Sequence, residues 1–370
     1  MILLNDFKRQ WQETGRQTLE AVEAVGASGW YVLGNEVREF ETALAARWPQ
    51  KHCIGVASGL DAIEICLRVL GCKRGDKVLT TPVTAFATTL AILKIGAVPV
   101  FVDCDRYGLI NLDACESALS TDRSIRFFVP VHLYGHSLDM GRLQELRDRF
   151  ESLIVEDCAQ SILASYRGIP TGTVGQMAAT SFYPTKNLGA LGDGGAILTG
   201  EEELASHARR LRNYGESGKY RHDEVGYNSR LDELQAAILR RTHLPRLPLW
   251  TERRKAIARM YCEGIRQERV RVPGAPDGSD SCWHLFPVWV DPDDKTAFMA
   301  HLRERGIMTA EHYPVPAFEQ KAIGPSPHEI AGDCVNARRL CRSEVSLPIH
   351  PYMTDEEVRT VIDACNGPGK

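Results

Sequence analysis

The sequence lacks the features of membrane, disulfide-stabilised and nucleic-acid-binding proteins. No stretch approaches the roughly 20 apolar residues that a membrane span requires. Residues 1–12 carry charged side chains where a signal peptide has an apolar segment. The 11 cysteines form no CxxC pair, which favours thiols in a reducing compartment over a disulfide framework. A formal net charge of −4 argues against a cationic nucleic-acid surface. We therefore expect a cytoplasmic protein that binds neither membranes nor nucleic acids.

The residues that are present predict an α/β protein with two domains. The chain has 370 residues, of which 44% are hydrophobic and 25% are charged, so it can bury a large core. Between residues 53 and 157, short apolar strands alternate with stretches of helical periodicity. This alternation predicts a mostly parallel sheet with helices on both faces. The proline-containing segment 245–248 indicates a boundary between a large domain, residues 1–245, and a smaller α+β domain, residues 246–370.

Polar residues follow the carboxyl ends of three predicted strands, where ligands of such sheets bind. The turn Ser58-Gly59 joins a strand to a helix, and this geometry points backbone N–H groups at a phosphate. Asp157 ends a buried strand, where a carboxylate is costly unless it meets a cation. Ser181 and Lys186 follow a third strand. A lysine at this position is poorly solvated, which lowers its pKa and makes the neutral amine available as a nucleophile.

Each feature taken alone also has a simpler interpretation. Ser58 could cap an ordinary helix, Asp157 could cap the following turn, and Lys186 could extend from a sheet edge into solvent. His132 and His136 are four residues apart but lie in a strand-to-loop segment rather than on a helix, so we expect no metal site. The combination favours pyridoxal 5′-phosphate (PLP), because that cofactor needs a phosphate cradle, a counter-ion for its pyridinium and a lysine for a Schiff base.

Several segments resemble the DegT/DnrJ/EryC1/StrS family of fold-type-I, PLP-dependent sugar aminotransferases. They are residues 56–62, 131–135, 155–160, 181–195 and 226–237, and the resemblance extends from about Leu4 to the C-terminus. It implies an aspartate aminotransferase-like fold with a mostly parallel central sheet in the large domain. Residues 181–195 are most similar to the branch that aminates C3 of dTDP-linked 3-keto-6-deoxyhexoses, with L-glutamate as the expected amino donor.

The resemblance also implies the residues that bind the cofactor. Lys186 is the expected catalytic residue, which binds PLP covalently and later moves the proton. The backbone N–H groups and side chains expected to bind PLP belong to Gly59, Leu60, Phe86, Asp157, Gln160, Ser181, Lys186 and Asn228. Among these, Asp157 is expected at the pyridine nitrogen, Gln160 near the ring hydroxyl and Phe86 on the ring face. Gly59, Leu60 and Ser181 are expected at the phosphate.

A second group of residues is expected to bind substrate or the neighbouring subunit. Asn228 is expected to reach the phosphate of the neighbouring subunit's cofactor, which implies a homodimer with shared active sites. The expected contacts to the sugar nucleotide are Tyr183, Lys219, His312 and Tyr313. For His312 and Tyr313, packing at the domain junction is the alternative interpretation.

The sequence departs from the family pattern without losing a catalytic group. Leu60 replaces a usual threonine, residues 161–163 replace a small-His-Gly run, and Thr185 stands where glycine is common. The alternatives left open are a C4 aminotransferase of a nucleotide-linked 4-keto sugar and a PLP-binding regulatory protein without turnover. A sugar dehydratase of this family would carry histidine in place of Lys186, and a cysteine desulfurase would need a cysteine in a mobile loop.

Overall fold

The fold places a large sheet between two layers of helices. The structure is a computed structural model that describes residues 1–367. Its strands are β1 (His52–Val56), β2 (Lys77–Thr80), β3 (Val98–Val102), β4 (Ile125–Val129), β5 (Leu153–Asp157), β6 (Ser165–Tyr166), β7 (Ile169–Pro170), β8 (Met177–Ser181), β9 (Gly195–Thr199), β10 (Glu216–Gly218), β11 (Arg221–His222), β12 (Ser279–Asp280), β13 (Phe286–Trp289), β14 (Glu329–Ala331) and β15 (Glu344–Leu347).

The helices connect these strands and cover the sheet. They are α1 (Phe7–Ser28), α2 (Asn35–Arg47), α3 (Gly59–Val69), α4 (Phe86–Ile95), α5 (Leu112–Thr121), α6 (Met140–Phe150), α7 (Glu202–Leu211), α8 (Glu233–Ile238), α9 (Leu247–Gly264), α10 (Lys295–Glu304), α11 (Val335–Ser343) and α12 (Asp355–Asn366). A π-helical segment, Leu239–His243, follows α8. In the part of the chain that the structure describes, no helix has the length and apolar character needed to cross a membrane.

The central sheet is mostly parallel, which confirms the sequence prediction. Its eight strands have the order β1-β9-β8-β5-β4-β2-β3-β14. Strands β14, β3, β2, β4, β5 and β8 pair in parallel, and β9 runs antiparallel to both β8 and β1. Val78 belongs to a core cluster with residues of α3, α4 and α7, whereas Leu79 belongs to one with residues of α5 and α6. Consecutive residues of β2 thus face opposite helix layers, as side chains alternate along a strand.

Strand β9 brings two segments with expected cofactor-binding residues together at one edge of the sheet. Its first residue, Gly195, is the register partner of Val56 on β1 and of Ser181 on β8. Because β9 is antiparallel to both neighbours, β1 and β8 run in the same direction as β5. The carboxyl ends of β1, β5 and β8 therefore lie at the same edge, where the Ser58-Gly59 turn, Asp157 and Ser181 follow them.

The C-terminal part of the chain has a core of its own but also returns to the large sheet. Helices α9, α10 and α12 pack with β13 and β15 around residues such as Tyr261, Phe286 and Val361. Strand β14, however, pairs with β3 at the edge of the central sheet, and residues of α11 join the core beneath that sheet. The domain boundary at residue 245 stays a prediction. Residues 308–314 pair with β15 through a single bridge, Ala310 to Ser346.

A buried carboxylate fixes the start of α2. Glu233 in α8 is 2% exposed, and its oxygens accept hydrogen bonds from the backbone N–H groups of Gly34 (2.8 Å), Glu36 (2.9 Å) and Val37 (2.9 Å). Gly34, the N-cap residue, has no side chain to do this itself. A carboxylate at a helix N-terminus satisfies N–H groups that have no partner within the helix and interacts favourably with the helix dipole.

We predict that Glu233→Ala lowers the free energy of unfolding by roughly 2–4 kcal/mol, because it leaves buried N–H groups unpaired. Urea denaturation of the PLP-loaded protein measures this change. Glu23→Ala is the matched control, because Glu23 is an exposed residue of α1 and its replacement is expected to change stability by less than about 0.5 kcal/mol. Equal stabilities of the two variants would contradict the prediction.

Candidate active site

The Ser58-Gly59 turn presents free backbone donors at the start of α3. Ser58 Oγ accepts a hydrogen bond from Asp61 N at 3.1 Å, and the Ser58 carbonyl accepts from Ala62 N. The N–H groups of Gly59 and Leu60 lie in the first turn and have no acceptor within the helix. Together with the helix dipole they suit an anion such as a phosphate.

Two glycines allow this turn to approach β8. A Cβ atom on Gly59 would lie 2.7 Å from Ser181 Cβ, and one on Gly195 would lie 2.4 Å from the carbonyl carbon of Ser58. Side chains at either position would force the turn and the strand apart. The Ser181 hydroxyl therefore lies beside the free N–H groups, where it can bind the same anion. It accepts a hydrogen bond from Tyr183 N at 3.2 Å and can still donate its own hydrogen.

Asp157 is a buried carboxylate that forms no ion pair in the described chain. It is 5% exposed. Its Oδ2 accepts a hydrogen bond from Thr88 Oγ1 at 2.8 Å, and its Oδ1 accepts from Ala159 N at 3.0 Å. These bonds fix the orientation of the carboxylate and leave acceptor capacity free. A protonated pyridine nitrogen would provide the missing positive charge.

Lys186 lies in the loop after β8, near this carboxylate. Its backbone N donates to Tyr183 O at 2.8 Å, and its side chain is half-buried. Burial lowers the pKa of the Lys186 amine to about 8, although the negative charge of Asp157 acts in the opposite direction. Burial, and then the positive charge of Lys186, lower the pKa of His312 to about 4. A lysine with such a pKa supplies neutral amine close to neutral pH.

A polar network orients Gln160 beside these groups. Its Oε1 accepts a hydrogen bond from Tyr134 N at 2.7 Å, and its Nε2 donates to Tyr313 Oη at 3.3 Å. Tyr134 Oη in turn donates to the backbone carbonyl of His312 at 2.6 Å. These contacts connect β5 to the 312–313 segment of the C-terminal part. Phe86 is half-buried at the first position of α4, the helix that carries Thr88.

Three of the residues expected from the sequence lie on the surface of the single chain. Tyr183 is 53% exposed, and Lys219 lies between β10 and β11 with its Nζ 5.4 Å from the ring centroid of Tyr220. Asn228 is also exposed, and its side chain makes no hydrogen bond within residues 1–367. The structure thus groups the expected cofactor residues of β1, β5 and β8, but it leaves Lys219 and Asn228 without a contact to them.

The residues around Asn228 are firmly held by α3. Tyr227 Oη donates to Glu64 Oε1 at 2.6 Å, and Ser229 Oγ donates to Asp61 Oδ2 at 2.7 Å. Ser229 Oγ also accepts from Ala57 N at 3.1 Å. The segment therefore presents Asn228 outward from a rigid base next to the Ser58-Gly59 turn.

The histidine pair considered from the sequence is separated in the structure. His136 Nδ1 bonds to Ser281 Oγ at 2.9 Å, whereas His132 lies with Glu156 and Cys158 in a buried group that could hold a metal ion. Glu156, however, already accepts from His132 Nε2 and from three backbone N–H groups, those of Gly172, Val174 and Gly175. A carboxylate with four donors is explained as a structural anchor.

The groups that hold Asp157 and Gln160 were not found from the sequence. Thr88 and Tyr134 reach them only because the order of the sheet places α4 and the loop after β4 beside β5. A threonine in the first turn of a helix gives no sequence signal for such a contact. Taken together, a phosphate cradle, an uncompensated carboxylate and an amine of lowered pKa fit PLP.

Comparison with known proteins agrees with this assignment. The sequence profile of the DegT/DnrJ/EryC1/StrS aminotransferase family matches residues 12–366. The dTDP-3-amino-3,4,6-trideoxy-alpha-D-glucose transaminase of Streptomyces venezuelae is 43% identical over 367 residues, covering 97% of this chain and 94% of that protein. The Pleiotropic regulatory protein of Geobacillus stearothermophilus is 36% identical over 361 residues, covering 97% of this chain and 96% of that protein.

A solved structure is similar over almost the full length. The X-ray structure of S. venezuelae DesV has a TM-score of 0.93 and 41% identity, and the match covers 99% of this chain and 97% of that one. The chain therefore belongs to the DegT/DnrJ/EryC1/StrS aminotransferase family, and it is a PLP-dependent enzyme.

Proposed function

We propose that this enzyme transfers the amino group of L-glutamate to C3 of a dTDP-linked 3-keto-6-deoxyhexose. The observation that carries the proposal is the half-buried Lys186 amine, with its lowered pKa, beside the uncompensated Asp157 carboxylate. Similarity to the S. venezuelae transaminase, whose name specifies a dTDP-3-amino sugar, supports the choice of substrate.

Bound PLP supplies an electron sink that stabilises negative charge at the carbon from which a proton is removed. Asp157 would accept the hydrogen bond of the pyridine N–H and keep that nitrogen protonated. The N–H groups of Gly59 and Leu60 and the Ser181 hydroxyl would hold the phosphate. Phe86 would cover one face of the ring, and the Nε2 amide of Gln160 would donate to the ring hydroxyl.

Lys186 has two tasks in this proposal. As a neutral amine it binds the cofactor covalently, and once displaced by substrate it carries a proton between two carbon atoms. A general base works best when its pKa is close to the working pH, and burial brings the pKa of Lys186 down to about 8. The same lysine can serve glutamate and the keto sugar in turn, so the two substrates need not be bound together.

The exposed residues are explained by a homodimer with shared active sites. Asn228, with no hydrogen bond of its own in the described chain, would reach the phosphate region of the neighbouring subunit. Lys219 would provide positive charge for the pyrophosphate of the sugar nucleotide, and Tyr183 would contact the nucleotide beside it. His312 and Tyr313, which lie close to Lys186 and Gln160, would contact the sugar.

A regulatory role is the second candidate, since one relative is named a regulatory protein. A protein that only binds PLP has no need for a proton-carrying lysine of lowered pKa, so the geometry favours catalysis. Bound cofactor that fails to react with any amino acid would favour the regulatory candidate.

We predict that Lys186→Ala lowers the transfer rate by roughly 10³-fold or more, because no other group replaces the proton carrier. The absorbance of the covalent bond between PLP and lysine is also expected to disappear. Steady-state kinetics and visible spectra measure the two effects. Lys321→Ala, a change at an exposed lysine, is the control and should leave both unchanged. Full activity of Lys186→Ala would disprove the mechanism.

The pKa of Lys186 predicts how fast PLP attaches to the apoprotein at different pH values. The neutral amine is the nucleophile, so the rate should rise with pH and level off above about pH 8, far below the ordinary lysine value of 10.5. Asp157→Asn removes a charge that raises this pKa, so the midpoint should move to lower pH. Stopped-flow absorbance measures the rate. A rate that continues to rise between pH 9 and 10 would show that the amine is not desolvated.

Substrate panels test the choice of carbon. We expect that PLP-loaded enzyme and glutamate convert a dTDP-3-keto-6-deoxyhexose to its 3-amino product, whereas a 4-keto isomer reacts at least about tenfold more slowly. Mass spectrometry with ¹⁵N-glutamate and NMR of the product identify the aminated carbon. A product aminated at C4 would contradict the proposal and support the C4 aminotransferase alternative. Lys186 would have the same role in that reaction.

A further inference from the structure

Two buried polar residues of β15 form a closed network with His312. Ser346 Oγ lies 2.9 Å from His312 Nδ1 and donates to Glu344 Oε1 at 2.5 Å. The other carboxylate oxygen, Glu344 Oε2, accepts from the backbone N of His312 at 2.6 Å. Glu344 and Ser346 are 1% and 0% exposed. His312 Nε2, by contrast, has no hydrogen-bond partner within residues 1–367 and is not fully buried.

The directions of the two hydrogen bonds of Ser346 depend on the charge of Glu344. When Glu344 is ionised, Oε1 accepts the Ser346 hydroxyl hydrogen, so the serine oxygen must accept from His312 and the ring proton lies on Nδ1. When Glu344 is protonated, its hydrogen lies on Oε1, because Oε2 already accepts from the His312 backbone. The serine then accepts from Glu344 and donates to Nδ1, so the ring proton lies on Nε2.

We propose that Glu344, acting through Ser346, sets which ring nitrogen of His312 carries the proton, and thereby whether Nε2 faces substrate as an acceptor or as a donor. The change takes up one proton from solvent, which ends on Nε2. The hydrogen of Nδ1 passes to Ser346, and that of Ser346 passes to Glu344, so the ring keeps a single proton. Glu344 and Ser346 are positioning residues, since they act through His312.

The surroundings place this change near neutral pH. Burial raises the pKa of Glu344 to about 7, while the hydrogen bonds from Ser346 and His312 and the charge of Lys295 oppose the rise. His312 itself remains neutral, since its pKa is about 4, so only the position of its single proton is at issue. The titratable groups that face Glu344 are Lys295, Glu311, His312, Tyr134, Tyr313 and Cys341.

Lys295 does not neutralise Glu344 by direct contact. Its Nζ forms an ion pair with Glu311 and donates to the carbonyl of Cys341 at 3.2 Å. The carboxylate of Glu344 therefore has neutral donors only, Ser346 Oγ and His312 N. This arrangement leaves its protonation state free to respond to pH.

The consequence for substrate rests on the proposed function, in which His312 contacts the sugar. Above the crossover pH, Nε2 offers a lone pair that accepts from a sugar hydroxyl. Below it, Nε2 carries a hydrogen and no longer accepts, so a hydroxyl that donates to Nε2 must turn away from its bound orientation, which weakens binding. We therefore expect KM for the keto sugar to rise about tenfold as Glu344 becomes protonated.

The position of the ring proton is measured without any substrate. PLP-loaded enzyme with ¹⁵N-labelled histidine is titrated between pH 5.5 and 8.5, and long-range ¹H–¹⁵N spectra identify the tautomer. The His312 signals are assigned by their loss in His312→Gln. We expect the proton on Nδ1 at pH 8.5 and on Nε2 at pH 5.5. A single tautomer over the whole range in the unmodified enzyme would overturn the proposal.

Two variants separate the network from general structural effects. In Glu344→Gln the amide oxygen accepts from the His312 backbone and the NH₂ group donates to Ser346, so the Nε2–H tautomer should persist at every pH. Ser346→Ala interrupts the relay and should abolish the crossover. Ser343→Ala is the matched control, because Ser343 is also a buried serine next to β15 but has no hydrogen bond to His312. A crossover that survives in Glu344→Gln or Ser346→Ala would contradict the inference.

Kinetics then distinguish this inference from the proposed function. In Glu344→Gln we expect KM for the keto sugar at pH 8 to match the raised value of the unmodified enzyme at pH 5.5, with kcat for the glutamate half-reaction unchanged. A tautomer change without any effect on KM would mean that His312 does not contact the sugar. That result would contradict the substrate part of the inference. Failure to aminate any keto sugar, with the tautomer change intact, would refute only the proposed function.

Discussion

The close approach of the Ser58-Gly59 turn to β8 is the constraint on which the site depends. Strand β9 lies between β1 and β8, and its first residue must be small enough for the turn to fold over it. At Gly195 a Cβ atom would lie 2.4 Å from the Ser58 carbonyl carbon, and at Gly59 it would lie 2.7 Å from Ser181 Cβ. Only this contact brings backbone donors from one strand and a hydroxyl from another to a common anion site. The reversed direction of β9 makes it possible, since it returns β1 to the direction of β8.

Four buried acids that form no ion pair with lysine or arginine are stabilised in two different ways. Glu156 and Glu233 each accept from three backbone N–H groups, so their charges are distributed over fixed dipoles and they hold loops and helices in place. Asp157 has one backbone donor and the Thr88 hydroxyl, and Glu344 has one backbone donor and the Ser346 hydroxyl. The two acids with fewer donors lie next to the candidate active site, Glu344 through His312, where remaining acceptor capacity or a change of protonation can act on a ligand.

The residues at strand ends are predictable from the sequence because a general rule places them together. In a parallel sheet the carboxyl ends share an edge, so Ser58, Asp157 and Ser181 could be grouped before the sheet order was known. No comparable rule joins Thr88 to Asp157, or Glu344 to His312, since these contacts depend on how a helix or strand crosses a neighbour. The return of β14 to the central sheet is not predictable either. Glu329–Ala331 is too short to show the alternation of apolar and polar residues that indicates a strand. The position of Asn228 stays a prediction, since its expected contact lies in a second chain.

The attachment of the 227–229 segment to α3 would couple the two active sites of the proposed dimer. Asp61 and Glu64 lie one turn apart on α3 and hold Ser229 and Tyr227 by side-chain hydrogen bonds. The first turn of the same helix has the N–H groups proposed for the phosphate, so the helix that would bind one cofactor also fixes the loop that presents Asn228. Since Asn228 makes no bond within its own described chain, its side chain is held in place only by this loop and by whatever it meets on the neighbouring subunit. A loss of the Ser229 or Tyr227 contact would then weaken the neighbouring site as well as the α3 turn, which a purely local role for these residues would not do.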